Sequence, residues 1–281
     1  MAHAVEKMAY AGELPWHGLG TQVSHDLTPE QMMKAAGLDW TVEKRKLQFV
    51  GKGGKGAIEV PDKYALVRST DNAFLSVIGS TYKPVQNAEV MGFYKKFVTA
   101  GHMKMETAGS LHNGQYIWAL ARIGKDFKLG KDDEVRGFLL MSNPHVLGKA
   151  MVIQFTPIRV VCWNTLTFAL GSNLKGKPGA FRMPHSIAFN DVVKKQAEEA
   201  LGLASHQMDE FKEAATMLSK KKAKPEKVEE FFCEVLKFDP KKADKKKAKK
   251  GEEAENKEPR MLPKMRLALT NSPGATMATA A

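Results

Sequence analysis

The chain has little cysteine, no long apolar run and no excess of acid. Only Cys162 and Cys233 occur among 281 residues. They form no C-x-x-C pair, which excludes a zinc ribbon or a thioredoxin-type motif, and two cysteines do not make a disulfide scaffold at this length. Cys162 sits in an apolar run, where cysteine reads as a small buried hydrophobe. No stretch approaches 18 consecutive apolar residues, so no membrane-spanning helix is predicted. The first ten residues, Met1 to Tyr10, lack the continuous apolar segment of a signal peptide. The expectation is a soluble protein of a reducing cytoplasm with no membrane partner.

Catalytic signatures are also missing. There is no G-x-S-x-G and no H-E-x-x-H, and none of the eight histidines stands four residues from another. Asp132-Asp133-Glu134 follows Gly130-Lys131 and reads as a solvated turn. No grouping supplies nucleophile, base and orienting residue together. No catalytic residue, metal or cofactor is therefore assigned, and an enzyme with an unrecognised site is only a third reading of function. Gly51-Lys-Gly-Gly-Lys-Gly56 satisfies G-x-G-x-x-G, but Ala57-Ile-Glu-Val-Pro61 follows it and opens no helix. The segment also lacks the Lys-Ser/Thr ending of a P-loop, so a hairpin tip is expected rather than a nucleotide site.

What is present is ordinary globular composition, 43% hydrophobic and 26% charged, with a formal net charge of +12. The charge is uneven. Residues 220–250 carry 13 Lys against 6 acidic residues, residues 251–281 balance, and residues 1–219 keep only a small basic excess. A basic excess favours polyanionic partners, nucleic acid first.

Residues 8–26, with Gly12, Pro15, Gly18 and Gly20, read as an extended arm anchored by Trp16. Thr28-Pro29-Glu30-Gln31 is a capping box, and Gly37 stops the helix it opens. Strands are predicted over Asp39–Val50, Tyr64–Arg68, Phe74–Gly79, Met103–Ala108, Gln115–Ile123, Gly137–Ser142, Ala150–Thr156 and Ile158–Trp163. Asn87–Thr99 has helical spacing in Val90, Phe93, Tyr94, Phe97 and Val98. Successive strands with few helices between them predict an α+β fold built on a mostly antiparallel sheet. From residue 190 the pattern changes. Val193, Ala197, Ala200, Ala204, Met208, Phe211, Ala215 and Leu218 form one helical stripe, and a second helix opens at Pro225. The expected division is a core domain over 1–189, a helical hairpin over 190–239, and a basic tail over 240–281 with too little apolar surface to fold. The stripe either covers the sheet or drives homo-oligomer formation.

Four segments carry a family resemblance: Leu14-Pro-Trp-His-Gly-Leu-Gly20, Tyr82-Lys-Pro-Val-Gln-Asn-Ala-Glu89, Ala108-Gly-Ser-Leu111 with Gly114-Gln115, and Thr156-Pro-Ile-Arg-Val-Val-Cys-Trp-Asn-Thr-Leu166. Over roughly residues 8–220, in order and spacing, the chain resembles the phage/plasmid-like proteins of domain-of-unknown-function family 932. Members usually carry a Ser-His-Asp-Gly-Ser-like stretch where this chain has Ser142-Asn-Pro-His-Val146, and they differ at the C-terminal end. The resemblance implies a mobile-element setting in a bacterial host and no established chemistry. Likeness to phage single-strand annealing proteins is analogy, resting on architecture, charge and setting.

The leading expectation is a nucleic-acid-binding protein, an oligomeric single-strand DNA binding or annealing factor. Lys52 and Lys55 would supply a basic tip, Arg159 would pair a phosphate, Trp163 would stack a base and Asn164 would hydrogen-bond the same strand. The alternative for the last three is a half-buried strand in which Asn164 and Thr165 satisfy local backbone groups. The alternative for the whole protein is a structural protein assembling through its long helix without nucleic acid.

Overall fold

The fold is built around a sheet that is apolar on both faces. In a computed structural model, the described residues are 3–221 without 55, 125, 130–132 and 172–179, together with a few positions between 224 and 233. The chain divides into two compact units, one of residues 1–127 with 136–211 and one of 128–135 with 212–281.

In the larger unit, the main sheet has seven strands in the order β12-β11-β10-β7-β6-β1-β2. These are β1 (Val5–Ala11), β2 (Thr21–Val23), β6 (Lys104–Leu111), β7 (Tyr116–Arg122), β10 (Phe138–Pro144), β11 (Ala150–Thr156) and β12 (Ala180–Pro184). Every pairing is antiparallel except β1 with β2. The architecture is α+β with a mostly antiparallel sheet, as the succession of strands predicts.

Side-chain alternation assigns the two faces. Ile117, Ala119 and Ala121 of β7 join Leu139 and Met141 of β10 in one core, whereas Trp118, Leu120, Phe138 and Leu140 enter a second. Both central strands are buried on both sides, which explains their unbroken apolar sequences. The first core is covered by α1 (Pro29–Ala35) and α2 (Asn87–Thr99), and it takes Val193, Ala197 and Leu201 from the start of α4 (Asp191–Ser219). The second is covered by α3 (Trp163–Gly171), whose Leu166 and Ala169 are buried.

Local chemistry sets the helix ends. Thr28 Oγ1 accepts from Gln31 N–H while Gln31 Oε1 accepts from Thr28 N–H, the reciprocal box that the sequence predicts. Gly37 then takes φ +65°, a conformation costly for a residue with a Cβ. Asn190 Oδ1 accepts from Val193 N–H at the entry to α4.

A second, three-stranded sheet has the order β3-β4-β5, with β3 (Val42–Val50), β4 (Ala57–Arg68) and β5 (Phe74–Gly79). A two-stranded sheet pairs β8 (Phe127–Leu129) with β9 (Asp133–Val135). No helix among the described residues is long and apolar enough to cross a membrane. The expected helix from Pro225 and the tail over 240–281 lie for the most part or wholly outside the described residues.

Two expectations are corrected. Residues 8–26 read as an extended arm, but their first four belong to the interior strand Val5–Ala11, with Met8, Ala9, Tyr10 and Ala11 buried. Ile158–Trp163 is not a strand. The chain leaves β11 at Thr156, whose Oγ1 accepts from Ile158 N–H, and it stays irregular until α3 opens at Trp163. Val160, Val161 and Cys162 are all buried, so the predicted alternation of faces around Arg159 does not exist. A short buried apolar run looks the same in sequence whether extended or irregular.

Candidate nucleic-acid interface

The residues expected to touch nucleic acid fall into two places. Lys52 lies at the β3–β4 tip, and Lys55 is outside the described residues. Arg159, Trp163 and Asn164 lie on the α3 face of the main sheet.

The α3 face is a structural joint. Arg159 Nε donates to Glu106 Oε1 at 2.6 Å, Nη1 to the Glu13 carbonyl at 2.9 Å and Nη2 to the Ala11 carbonyl at 2.7 Å. Its planar fork is committed to one nearly buried carboxylate and two main-chain oxygens, so it ties the N-terminal segment to the sheet. The next residue is held as firmly. Thr107 Oγ1 donates to the Val160 carbonyl at 2.6 Å while accepting from Trp118 Nε1. Thr165 Oγ1 accepts from Val161 and Cys162 N–H and caps α3.

His17 completes this joint. Leu19 N–H donates to its Nδ1, which leaves the proton on Nε2, and Nε2 donates to the Val161 carbonyl at 2.9 Å. The N-terminal loop is therefore anchored by His17 and by Glu13 main chain. Trp16, expected to be the anchor, is 66% exposed.

Trp163 is half-buried. It meets His112 and Tyr116 edge-on, with ring centroids 4.5 and 4.8 Å away. Burial pushes the Tyr116 phenol pKa up. Asn164 is exposed on the first turn of α3.

The β3–β4 hairpin is different. Strand β5 pairs only with the Lys63–Val67 part of β4. Beyond it, Gln48, Phe49 and Val50 pair with Glu59, Ile58 and Ala57 in a two-stranded ribbon. A large register shift after Lys46, with Asp62 at φ +55°, separates this outer ribbon from the three-stranded part.

The hairpin tip is a 3₁₀ turn over Lys52–Gly54, and no atom lies near the Cβ positions of Gly53, Gly54 or Gly56. Phe49 is 53% exposed, its neighbour across the ribbon, Ile58, 47%, and Val50 74%. Lys52 is exposed. Lys46 bonds Glu59 at 3.0 Å, and that partner raises its pKa. A bare two-stranded ribbon carries apolar side chains in solvent here, an arrangement that a folded core does not require. Sequence reasoning named Lys52 and Phe49 as tip and strand residues. It missed that Phe49 and its partner Ile58 stand in solvent, for which the sequence carries no signal.

Fold and joint together define an α+β protein organised around one anchored connection. The chain belongs to the family described as Domain of unknown function (DUF932), whose model matches residues 74–265, more than half of the chain. The match takes in Tyr82–Glu89, Ala108–Leu111 and Thr156–Leu166, and begins after Leu14–Gly20. No curated protein and no solved structure matches the chain.

Proposed function

We propose that the protein binds nucleic acid, preferring single strands, through the outer half of the β3–β4 hairpin. The observation that carries this reading is the exposed Phe49–Ile58 pair beside Lys52 at an unpacked tip. Unpaired bases offer apolar faces for the two side chains, and phosphates offer charge for the lysine. The basic balance of the whole chain, and the lysines of 241–250 in particular, would add sequence-independent attraction. In this reading Arg159 supports the fold rather than a phosphate. A role in strand annealing within a mobile element is the finer form of the proposal.

The test is a gel shift or anisotropy titration with labelled single- and double-stranded oligonucleotides at low and moderate salt. Wild type should bind single strands more tightly. Lys52→Glu with Phe49→Ser should weaken binding at least tenfold while the thermal melt stays unchanged. If the wild type binds neither DNA nor RNA at low salt, the proposal fails.

A second reading, self-assembly through α4, is favoured by Met217 and Leu218, 55% and 60% exposed near its end. Sedimentation of wild type and of Leu218→Asp distinguishes it, since assembly through this surface requires the variant to dissociate.

A further inference from the structure

The odd-numbered residues of β10 and β12 share a face. Met141 pairs with Ile153, Ile153 pairs with Phe181, and all three belong to or pack on the first core. Asn143 continues that face on β10, and His145 and His185 follow directly after the ends of β10 and β12. The Tyr82–Asn87 segment lies over them: Tyr82 stacks on His185 with ring centroids 4.7 Å apart, and its hydroxyl donates to the Pro144 carbonyl.

Each of the three polar side chains is tied down by one end only. Asn143 Nδ2 donates to the Val85 carbonyl at 3.0 Å. His145 Nε2 lies 3.2 Å from Asn87 Oδ1. Asn87 Nδ2 already donates to the Leu38 and Trp40 carbonyls, so Oδ1 is the acceptor and His145 Nε2 carries the proton. His185 Nδ1 faces the Lys83 carbonyl at 3.3 Å and must also be the protonated nitrogen.

That leaves Asn143 Oδ1, His145 Nδ1 and His185 Nε2 as bare acceptors. All three are buried without a hydrogen-bond partner, and so is the donor Trp40 Nε1. The Trp40 ring meets His145 at 5.7 Å between centroids. None of these four residues is more than 5% exposed. Four buried polar atoms without a protein partner each call for a hydrogen-bonding guest or an ordered water.

The chemistry of the set selects its guest. Two histidines are too few to hold a divalent metal, and no group of three His, Cys, Asp or Glu among the described residues could hold one. A neutral guest that both donates and accepts hydrogen bonds matches three acceptors and one donor. We propose that Trp40, Asn143, His145 and His185 form an internal site for ordered water. Three acceptors exceed the two O–H groups of one molecule, so the site takes at least a pair. The water would join the Tyr82–Asn87 segment to the end of the main sheet.

Long-range ¹H–¹⁵N spectra of the full chain at pH 7.5 test the tautomers. His145 should carry its proton on Nε2 and His185 on Nδ1, and either opposite tautomer overturns the site. Asn143→Leu, which removes one acceptor, should shift the bare-nitrogen resonances of both histidines; if neither moves, they share no water network with Asn143. A crystal structure should show water within hydrogen-bond distance of His145 Nδ1 and His185 Nε2. Dry density there, or a stoichiometric metal ion by elemental analysis of protein purified without chelator, also overturns it.

Discussion

Arg159 and Glu106 meet at 2.6 Å across the α3 face, with their side chains 19% and 4% exposed. The pair comes from residues 53 positions apart in sequence. It joins the Thr156–Leu166 segment to the centre of the main sheet and also holds the carbonyls of Ala11 and Glu13.

Truncating Arg159 to Ala strands the Glu106 carboxylate and frees two main-chain oxygens. We expect a loss of about 3–5 kcal/mol of folding free energy, the cost of breaking rather than replacing a buried pair. Arg159→Lys should recover only part of it, because an ammonium cannot reproduce the three-way fork. The double variant Arg159→Met/Glu106→Leu should be more stable than Arg159→Ala. Urea denaturation measures all three.

His145 makes the fold sensitive to acid. Burial, and then the neighbouring His185, lower its pKa from 6.5 to about 3. Burial lowers that of His185 too, outweighing the Lys83 and Pro144 carbonyls that favour its charged form. In the unfolded chain both histidines take up protons near pH 6.5, whereas the folded chain resists. The stability that His145 contributes is full above pH 6.5 and is lost as pH falls from there toward 3, at up to about 1.4 kcal/mol per pH unit, and His185 acts in the same direction. Urea midpoints at pH 7.5, 6.0 and 5.0 should fall steadily, and His145→Phe should flatten the decline. An equal slope in the variant would show that His145 is not the responsible group.

Gly109 has no room for a side chain. A Cβ there would lie 2.6 Å from the Lys7 carbonyl oxygen and would collide with Trp118. Strands β1 and β7 flank it, so relief requires moving the sheet. Gly109→Ala should cost at least about 1–3 kcal/mol. Gly53→Ala, with open space but φ +79°, should cost only the left-handed penalty of about 1–2 kcal/mol. Paired thermal melts compare the two.

Deleting residues 241–258 should leave nucleic-acid binding weakened but present. Seven lysines lie in 241–250. Each phosphate contact steepens log affinity against log salt by about 0.7 for a single strand, so the deletion should flatten that slope. An unchanged slope would mean that these lysines do not reach the bound strand.

Local signals carried far in this protein. The Thr28 capping box, the Asn87–Thr99 helix and the Gly51–Gly56 tip stand where side-chain spacing and glycine placed them, because each depends on residues a few positions apart. The succession of short apolar strands was enough for the α+β class. The tertiary structure decided what depends on distant partners. Ile158–Trp163 looks like a strand, but Thr107, His17 and Thr165 supply the backbone bonds that a neighbouring strand would have supplied. Val5–Ala11 has no strong pattern, and it becomes a strand because β6 pairs with it. Arg159 could have faced solvent or sheet on its sequence alone, and Glu106 settled the matter by giving it a carboxylate to neutralise. The same holds for His145 and His185, forty residues apart. They come together because β10 and β12 both pair with β11, and sequence spacing does not record which strands pair.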